Sequence, residues 1–209
     1  MGKSWLSEYG LLGGGWETPL RADIRRAYEV AEGTEFERMV AVCRCPGVHA
    51  MVVFRYGQWA LQQPQWARWL LDPVYALLNF LVKACWGIEL SRYAQIGQGL
   101  YISNFGGINV DPSATLGRYC NISNSITIAS GGGRSDIGPM LGDDVYVAPG
   151  VRIIGPISVG NNVRIGPNAV VTSDVPDNAV VALDPGYKIT SFRGNREPIG
   201  IEKKDAQTV

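Results

Sequence analysis

The side chains that could do chemistry in this sequence begin with a single histidine, His49, and four cysteines. Imidazole is the usual general acid or base near neutral pH, so one histidine restricts the available acid–base chemistry. Cys43, Cys45, His49 and Cys85 could be considered as metal ligands, but Cys-x-Cys is not the spacing of the common zinc sites. We therefore predict no metal, and we expect His49 to be a packing or hydrogen-bonding residue.

The composition excludes some classes of partner. The chain has 209 residues, of which 46% are hydrophobic and 18% charged, and its 19 basic and 19 acidic side chains cancel. A balanced charge creates no broad field that would attract nucleic acid, so we predict no nucleic-acid partner. Unevenly spaced cysteines and the lack of a secretory signal pattern favour a reducing compartment, and we expect a cytoplasmic protein.

The two halves of the chain differ in composition. All six tryptophans lie at or before Trp86, whereas 17 of the 26 glycines follow Ile96. Apolar spacing, proline and glycine in the first half predict helices over residues 19–42, 48–62 and 73–86. We predict a helical region over residues 1–90, a repetitive β domain over 91–190 and a tail over 191–209.

The aromatic-rich segment 66–90 raises the question of a membrane helix. Its apolar run is interrupted by Asn79 and Lys83 and is shorter than the roughly 20 residues that span a bilayer. We expect a helix that packs in the core or at an oligomer interface. An interfacial membrane contact is the less favoured alternative, since tryptophan and tyrosine prefer that boundary.

Apolar residues in the second half recur every six positions. With two extra residues after the second position and a longer loop after the sixth, aliphatic side chains occupy all of the following positions: Ile96, Ile102, Val110, Leu116, Ile122, Ile128, Leu141, Val147, Ile153, Val159, Ile165 and Val171. Neither a helix nor an ordinary strand has this period. The period is typical of a parallel β-helix, in which each six-residue unit forms a short strand and a turn and successive coils stack about 4.8 Å apart.

The repeat motifs resemble those of the hexapeptide-repeat acyltransferases. They include Ile96-Gly-Gln-Gly-Leu-Tyr, Leu141-Gly-Asp-Asp-Val-Tyr and Val159-Gly-Asn-Asn-Val-Arg. Gly87-Ile-Glu-Leu and the upstream Pro46-Gly-Val-His-Ala are similar to segments of the serine acetyltransferases and of related polysaccharide O-acetyltransferases. The resemblance covers about residues 43–190. It implies a mainly β fold, a left-handed parallel β-helix behind a helical N-terminal part, assembled as a homotrimer with acetyl-CoA in a groove between coils.

The resemblance also implies which residues contact acetyl-CoA. Small residues would let the pantetheine arm approach the main chain, and one lysine would reach a phosphate. The positions that match are Ala129, Ser130, Gly131, Ala148, Gly166 and Lys188.

Acetyl transfer to a hydroxyl requires a base that accepts the hydroxyl proton. The resemblance places that base, a histidine preceded by aspartate, at the positions of Ser103 and Asn104, and an acceptor contact at Ser103 and Phe105. A second family histidine falls at Gly138. Asparagine cannot accept the proton, so both expected imidazoles are missing.

Three explanations of Asn104 remain open at the level of sequence. Asn104 is a deliberate replacement of histidine, or it is natural and another group such as Asp136 or Asp111 acts as base, or the chain binds without turnover. Either carboxylate would need burial to raise its pKa.

We expect an acetyl-CoA-dependent O-acetyltransferase acting on a saccharide or serine-like hydroxyl. Ser103 lacks the charge to pair with an ammonium group, which favours a neutral saccharide. The absence of a histidine-activated serine or cysteine favours direct transfer without an acyl-enzyme. An assembly or regulatory protein, and a peripheral membrane component acting on lipid-linked sugars, are the alternatives.

Overall fold

The N-terminal half of the chain is helical. A computed structural model describes residues 17–131 and 137–183. Four helices precede the β region: α1 (Glu17–Val30), α2 (Glu35–Arg44), α3 (Pro46–Leu61) and α4 (Gln65–Trp86). Helix α3 packs between α1 and α4, and α4 leads directly into the first strand. The tail predicted over residues 191–209 lies outside the described residues.

The single helix predicted over residues 19–42 is wrong, because the chain breaks between α1 and α2. Gly33 has φ +107°, which side-chain-bearing residues rarely adopt. Thr34 then caps α2: its hydroxyl accepts from the Glu37 amide at 3.4 Å, and its own amide donates to Glu37 Oε2 at 2.8 Å. This capping box was readable in the sequence as Thr-x-x-Glu after a glycine.

Helix α4 begins eight residues before the predicted start. Pro64, in an extended conformation, occupies the N-cap position, and Pro73 lies inside the helix rather than at its first turn. The predicted end is correct: Gly87 has φ +62°, and its amide donates to the Lys83 carbonyl at 3.0 Å. Among the described helices, none combines the length and apolar character needed to cross a membrane.

The second half forms three parallel sheets that wind around a common interior. Sheet A contains β1 (Ile88–Leu90), β4 (Ile108–Val110), β7 (Thr127–Ala129), β10 (Arg152–Ile154) and β13 (Val170–Val171). Sheet B contains β2 (Gln95–Ile96), β5 (Thr115–Leu116), β8 (Met140–Leu141) and β11 (Ser158–Val159). Sheet C contains β3 (Tyr101–Ile102), β6 (Asn121–Ile122), β9 (Tyr146–Val147), β12 (Arg164–Ile165) and β14 (Val180–Val181). The chain visits the sheets in the order A, B, C in each coil.

The six-residue pattern sets the register between coils. Ile102 pairs with Ile122, and Ile122 pairs with Val147 in the next coil. Each of the aliphatic positions singled out in the sequence is buried, with at most 5% of its surface exposed. The prediction of a coil with these side chains inside is confirmed. The repeat begins slightly earlier than the predicted boundary at residue 90, because β1 already pairs with β4.

A buried ion pair joins the helices to the first coil. Arg55 of α3 contacts Asp23 of α1 at 2.9 Å, and the two side chains are 1% and 2% exposed. The remaining guanidinium nitrogens donate to the carbonyls of Ile96 and Gly97 at 2.8 and 2.6 Å. Asp23 Oδ1 accepts from the amide of Gly99 at 2.6 Å. Burial raises the pKa of Asp23, although the Arg55 charge opposes this shift. The hydrogen bonds from Arg55 and the backbone amides therefore offset part of the cost of burying the charged carboxylate.

We predict that Arg55→Met strongly destabilises the chain, because it leaves Asp23 buried without its countercharge. The expected loss in the free energy of unfolding is about 3–5 kcal/mol, measured by urea denaturation followed by circular dichroism. Lys83→Met is the control, since the Lys83–Glu89 pair is 42% and 47% exposed and exposed pairs contribute about 0–1 kcal/mol. Equal losses in the two variants would contradict a structural role for the buried pair.

The thiol of Cys120 points into the coil, as the six-residue pattern predicts. Burial raises the pKa of Cys120 to about 11, whereas Cys43 and Cys85 are exposed. We predict that Ellman's reagent at pH 8 modifies Cys43 and Cys85 rapidly and Cys120 only after unfolding, because the thiolate is the reactive form. Cys120→Ala should leave the number of rapidly reacting thiols unchanged. A decrease in that number would show that the side chain is accessible.

Candidate functional site

Ser103 and Asn104 lie at a stacked corner of the coil, which we call the C–A edge because the chain passes there from sheet C to sheet A. Ser103 follows β3, Ser123 follows β6, Ala148 follows β9 and Gly166 follows β12. Each of these residues donates its amide to a carbonyl of the next strand of sheet C, at 2.7 to 3.1 Å. They therefore occupy equivalent positions in four successive coils, and the predicted residues Ser103, Ala148 and Gly166 share one edge.

The hydroxyl of Ser103 is held toward the coil rather than toward solvent. Ser103 Oγ donates to the Ile122 carbonyl at 3.3 Å, and it lies 3.1 Å from Ser123 Oγ. With its proton directed to that carbonyl, Ser103 accepts the hydrogen bond from Ser123, which is only 2% exposed. Ser103 is thus a neutral, fixed residue, and it offers no charge to an acceptor.

Sequence reasoning did not identify Ser123 as a partner of Ser103. Its signal was present in the sequence, because Ser103 and Ser123 both directly follow an inward aliphatic residue of the repeat. The pairing of Ile102 with Ile122 brings the two hydroxyls together.

Asn104 and Phe105 project from the C–A edge, where Phe105 is 57% exposed and Asn104 is also exposed. Gly106 and Gly107 follow with φ +100° and +67° and turn the chain into sheet A. The Gly106 carbonyl accepts from the Ser125 amide of the next coil at 2.8 Å. The corner that carries Asn104 is therefore tied to the coil behind it, while the amide and the ring face outward.

The other predicted cofactor residues lie across sheet A. Ala129 ends β7, and Ser130 and Gly131 follow it at the corner where the chain leaves sheet A for sheet B, the A–B edge. Strands of about three residues separate the two edges by roughly 10 Å. Within one chain, the structure does not bring residues 129–131 together with Ala148 and Gly166.

Asp111 also lies on the A–B edge, directly after β4. Its Oδ1 accepts from the amide of Ser113 at 2.9 Å and from the Ser113 hydroxyl, which makes it a turn-forming residue. The structure does not place it beside Asn104 of the same chain. The other predicted base, Asp136, and the predicted phosphate contact Lys188 lie outside the described residues.

Ser113 fills the space that a side chain at position 138 would occupy. Gly138 is buried, and a Cβ at this position would lie 2.5 Å from Ser113 Oγ and 2.7 Å from the Ser113 backbone. A histidine at this second position would require the chain to shift, whereas the exposed Asn104 position has room for one.

His49 lies on α3 in the helical part. Its Nε2 lies 2.8 Å from the Cys43 carbonyl, and its ring centroid is 4.9 Å from that of Trp86. These contacts are those of a packing residue. Over residues 17–131 and 137–183, no three histidine, cysteine or carboxylate side chains cluster as metal ligands.

Comparison with known proteins connects this coil to a family. Residues 138–173 match the bacterial transferase hexapeptide family (six repeats). The chain is 33% identical to a serine acetyltransferase of Synechococcus elongatus over 171 residues, 81% of this chain and 67% of the relative. It is also 33% identical to a serine acetyltransferase of Mycobacterium tuberculosis over 176 residues, 82% of this chain and 72% of the relative.

Solved structures show the same fold. A serine acetyltransferase in complex with CoA superimposes with a TM-score of 0.68 at 20% identity, over 86% of this chain and 72% of that one. Serine acetyltransferase isoform 3 of Entamoeba histolytica gives a TM-score of 0.67 at 21% identity over 84% of this chain, which spans 61% of that longer protein. The predicted fold, a left-handed parallel β-helix behind a helical N-terminal part, is confirmed.

The match to the bacterial transferase hexapeptide family and the serine acetyltransferase relatives indicate an acyltransferase. At the identities and coverage above, the chain belongs to the serine acetyltransferase family of these enzymes.

We predict that the two positions of the missing histidines respond differently to replacement. Asn104→His should change the free energy of unfolding by less than about 0.5 kcal/mol, as exposed substitutions usually do. Gly138→His should lower it by about 1–3 kcal/mol or more, because the new side chain must displace Ser113. Thermal and urea denaturation measure both values. A Gly138→His variant as stable as the parent would show that the backbone there is not closed.

Proposed function

We propose that this chain is an O-acetyltransferase that moves the acetyl group of acetyl-CoA to a hydroxyl of a small neutral acceptor. The observation that carries the proposal is membership of the serine acetyltransferase family. It is supported by a coil edge that carries Ser103 and Asn104, the positions to which the resemblance assigns catalysis. Acetyl-CoA is the donor that the family and its CoA-bound relative support.

The proposed cofactor groove lies between two copies of the chain in a homotrimer. Ala148 and Gly166 lie on the C–A edge, while Ala129 and Gly131 lie on the A–B edge, with sheet A between them. A groove lined by both sets requires the C–A edge of one copy to face the A–B edge of a neighbour. Small residues at the two edges allow the pantetheine arm to approach backbone amides and carbonyls.

Transfer takes place in one displacement. The acceptor oxygen adds to the acetyl carbonyl carbon to form a tetrahedral oxyanion, which collapses as the carbon–sulfur bond breaks. CoA leaves as the thiol after its sulfur takes up the proton that the base removed from the hydroxyl. The hydroxyl proton must pass to a base, which Asn104 cannot be. Asn104 instead donates a hydrogen bond from its side-chain amide to the acceptor or to the developing oxyanion. The group proposed as base is Asp111 of a neighbouring copy, whose A–B edge faces Asn104 in the proposed trimer. Asp136, which lies outside the described residues, is the alternative base.

The acceptor is proposed to be a saccharide hydroxyl. Serine carries an ammonium group, and the position that would pair with it here holds Ser103, whose hydroxyl is committed to Ile122 and Ser123. The exposed Phe105 ring and the Asn104 amide present a flat apolar surface beside a hydrogen-bonding group. That combination suits a sugar ring better than a charged amino acid.

A binding or regulatory role without turnover is the second candidate. It is favoured by one observation: both positions expected to hold histidine lack an imidazole, and Gly138 is closed by Ser113. This candidate retains acetyl-CoA binding and loses only the chemistry.

We predict that Asn104→His raises the rate of acetyl transfer by about 10²–10⁴-fold, the usual contribution of a positioned base. The assay measures thiol release from acetyl-CoA with neutral sugars and with serine as acceptors, and mass spectrometry of the O-acetyl product. Asn124→His, which places an imidazole one coil further along the same edge, should leave the rate unchanged.

Measurements of CoA binding and of product formation distinguish the acetyltransferase from the binding role without turnover. Product formed from a sugar supports the full proposal, and product formed only from serine retains the reaction but contradicts the acceptor. CoA binding by calorimetry with no product from either the parent or Asn104→His supports the binding role. Neither binding nor product would contradict both.

A further inference from the structure

A groove extends between α1 and the edge at which the chain passes from sheet B to sheet C, which we call the B–C edge. Its first half has a volume of about 460 Å³ and is lined by α1 and by Tyr119. Its second half, of about 230 Å³, adjoins the first at Arg26 and lies over the outer face of sheet C. The two halves together have the size of a small-molecule site, which is about 300–1,000 Å³.

The first half of the groove is positively charged. Arg21, Arg25 and Arg26 line it, and the carboxylate among its described lining residues is that of Glu29. Arg25 is exposed, and no ion pair joins it to a described carboxylate. A guanidinium group binds phosphate through paired hydrogen bonds. Three of them on one face of a helix therefore favour a ligand that carries a phosphate group.

Arg26 is held in place by the coil. Its Nη1 donates to the Gly99 carbonyl at 3.2 Å and to the Tyr119 carbonyl. Its guanidinium carbon lies 5.6 Å from the centroid of the Tyr119 ring. These bonds use one guanidinium nitrogen, and no hydrogen bond to a described residue uses the donors on Nε and Nη2. Because the cation is already ordered, it binds an anion with little further loss of side-chain freedom.

Tyr119 has a backbone conformation that is unusual for its residue type, with φ +58°. The equivalent corners of the other coils, with φ between +53° and +77°, carry Gly99, Asp144, Asn162 and Asn178. Glycine, asparagine and aspartate tolerate this conformation, whereas a tyrosine there is strained. Strained residues are concentrated at binding and active sites. The side chain is 46% exposed beside Arg26, so its hydroxyl can donate to the anion that the arginines bind.

The second half of the groove offers hydrogen-bond acceptors. Asp144 presents an exposed carboxylate, and Asn162, whose Nδ2 donates to Asn178 Oδ1 at 2.7 Å, has its own Oδ1 as an acceptor. Arg164 stacks on Tyr146, with its guanidinium carbon 5.4 Å from the ring centroid. Carboxylate and amide oxygens accept hydrogen bonds from hydroxyl groups, whereas a fully ionised phosphate has no proton to donate to them. This half therefore favours the hydroxyl-bearing part of a ligand.

We propose that this groove binds a phosphorylated sugar, with the phosphate at the arginines of α1 and the sugar hydroxyls at Asp144 and Asn162. Asp144 and Asn162 follow Tyr119 at the B–C edge by one and two coils, or by about 5 and 10 Å. A hexose phosphate spans this distance. The site is separate from the proposed acetyl-CoA groove, which uses the C–A and A–B edges, so binding there does not depend on acetyl transfer.

Isothermal titration calorimetry of the full chain tests the proposal with glucose 1-phosphate, galactose 1-phosphate and N-acetylglucosamine 1-phosphate. At least one of them should bind more tightly, by about tenfold or more, than inorganic phosphate and than the corresponding free sugar, because only the phosphorylated sugar fills both halves. Binding of none of the three would overturn the proposal. Inorganic phosphate that binds as tightly as every sugar phosphate would overturn it as well, since the groove would then be an anion site alone.

Two variants test the two halves separately. Arg25→Gln removes an exposed charge and should weaken binding of the sugar phosphate and of inorganic phosphate by about tenfold. Asp144→Gly, in which glycine readily adopts the positive φ of this corner, should weaken the sugar phosphate by a similar factor and leave inorganic phosphate unchanged. Arg44→Gln is the matched control, since Arg44 is exposed at the end of α2, and it should change neither affinity. All three variants should keep the circular dichroism of the parent, and an Arg25→Gln variant with the parent's affinities would contradict the site.

Competition distinguishes the sugar phosphate from other occupants. Saturating CoA should leave the affinity for the sugar phosphate unchanged, because the proposed cofactor groove lies on other edges of the coil. Displacement by CoA would place the sugar phosphate in the cofactor groove, and equal binding of hexaglutamate would show a site for acidic peptides. Either result would overturn the proposal. A chain that binds the sugar phosphate at Arg25 and Asp144 but does not bind CoA would support this site and contradict the proposed acetyltransferase.

Discussion

Backbone hydrogen bonds between successive coils are the constraint on which the rest of this molecule depends. Each strand has only two or three residues, so no strand is stable alone, and the register is held by the repeated pairing of inward residues such as Ile102, Ile122 and Val147. Once that register is fixed, the residue that follows each strand is fixed as well. The edges that carry Ser103, Asn104 and the small residues are therefore products of the stacking.

A buried ion pair joins the helical part to the coil, whereas the coils are joined to one another by many backbone hydrogen bonds. Asp23 and Arg55 bring two helices onto the backbone of the first coil, and their hydrogen bonds satisfy carbonyls and amides that no preceding coil pairs with. A buried pair of charges is costly unless every partner is in place. The ion pair therefore sets a specific position for the helices against the first coil.

The separation of the two edges by sheet A shapes the chemistry. A single chain holds Asn104 on one side and Asp111 with residues 129–131 on the other, so the proposed groove, which uses both edges, needs two copies. With Asn104 in place of the expected histidine and Ser113 filling the space at Gly138, the proposed catalytic corner is neutral and hydrogen-bonding rather than basic. The exposed Phe105 ring is consistent with an acceptor held by contact rather than by charge.

The sequence by itself determined the coil, because a six-residue period of aliphatic side chains is compatible with little else, and it determined that Cys120 points inward and that both expected histidines are missing. The break after Gly33 was also readable, from the capping box of Thr34 and Glu37. The sequence did not determine the early start of α4 or the partner of Arg55, since these depend on which surfaces meet. Only the tertiary structure decided that Ser123 holds the hydroxyl of Ser103 and that Asp111 lies across the sheet from Asn104. Residues distant in the sequence become neighbours through the winding of the coils, and local propensity carries no information about that winding.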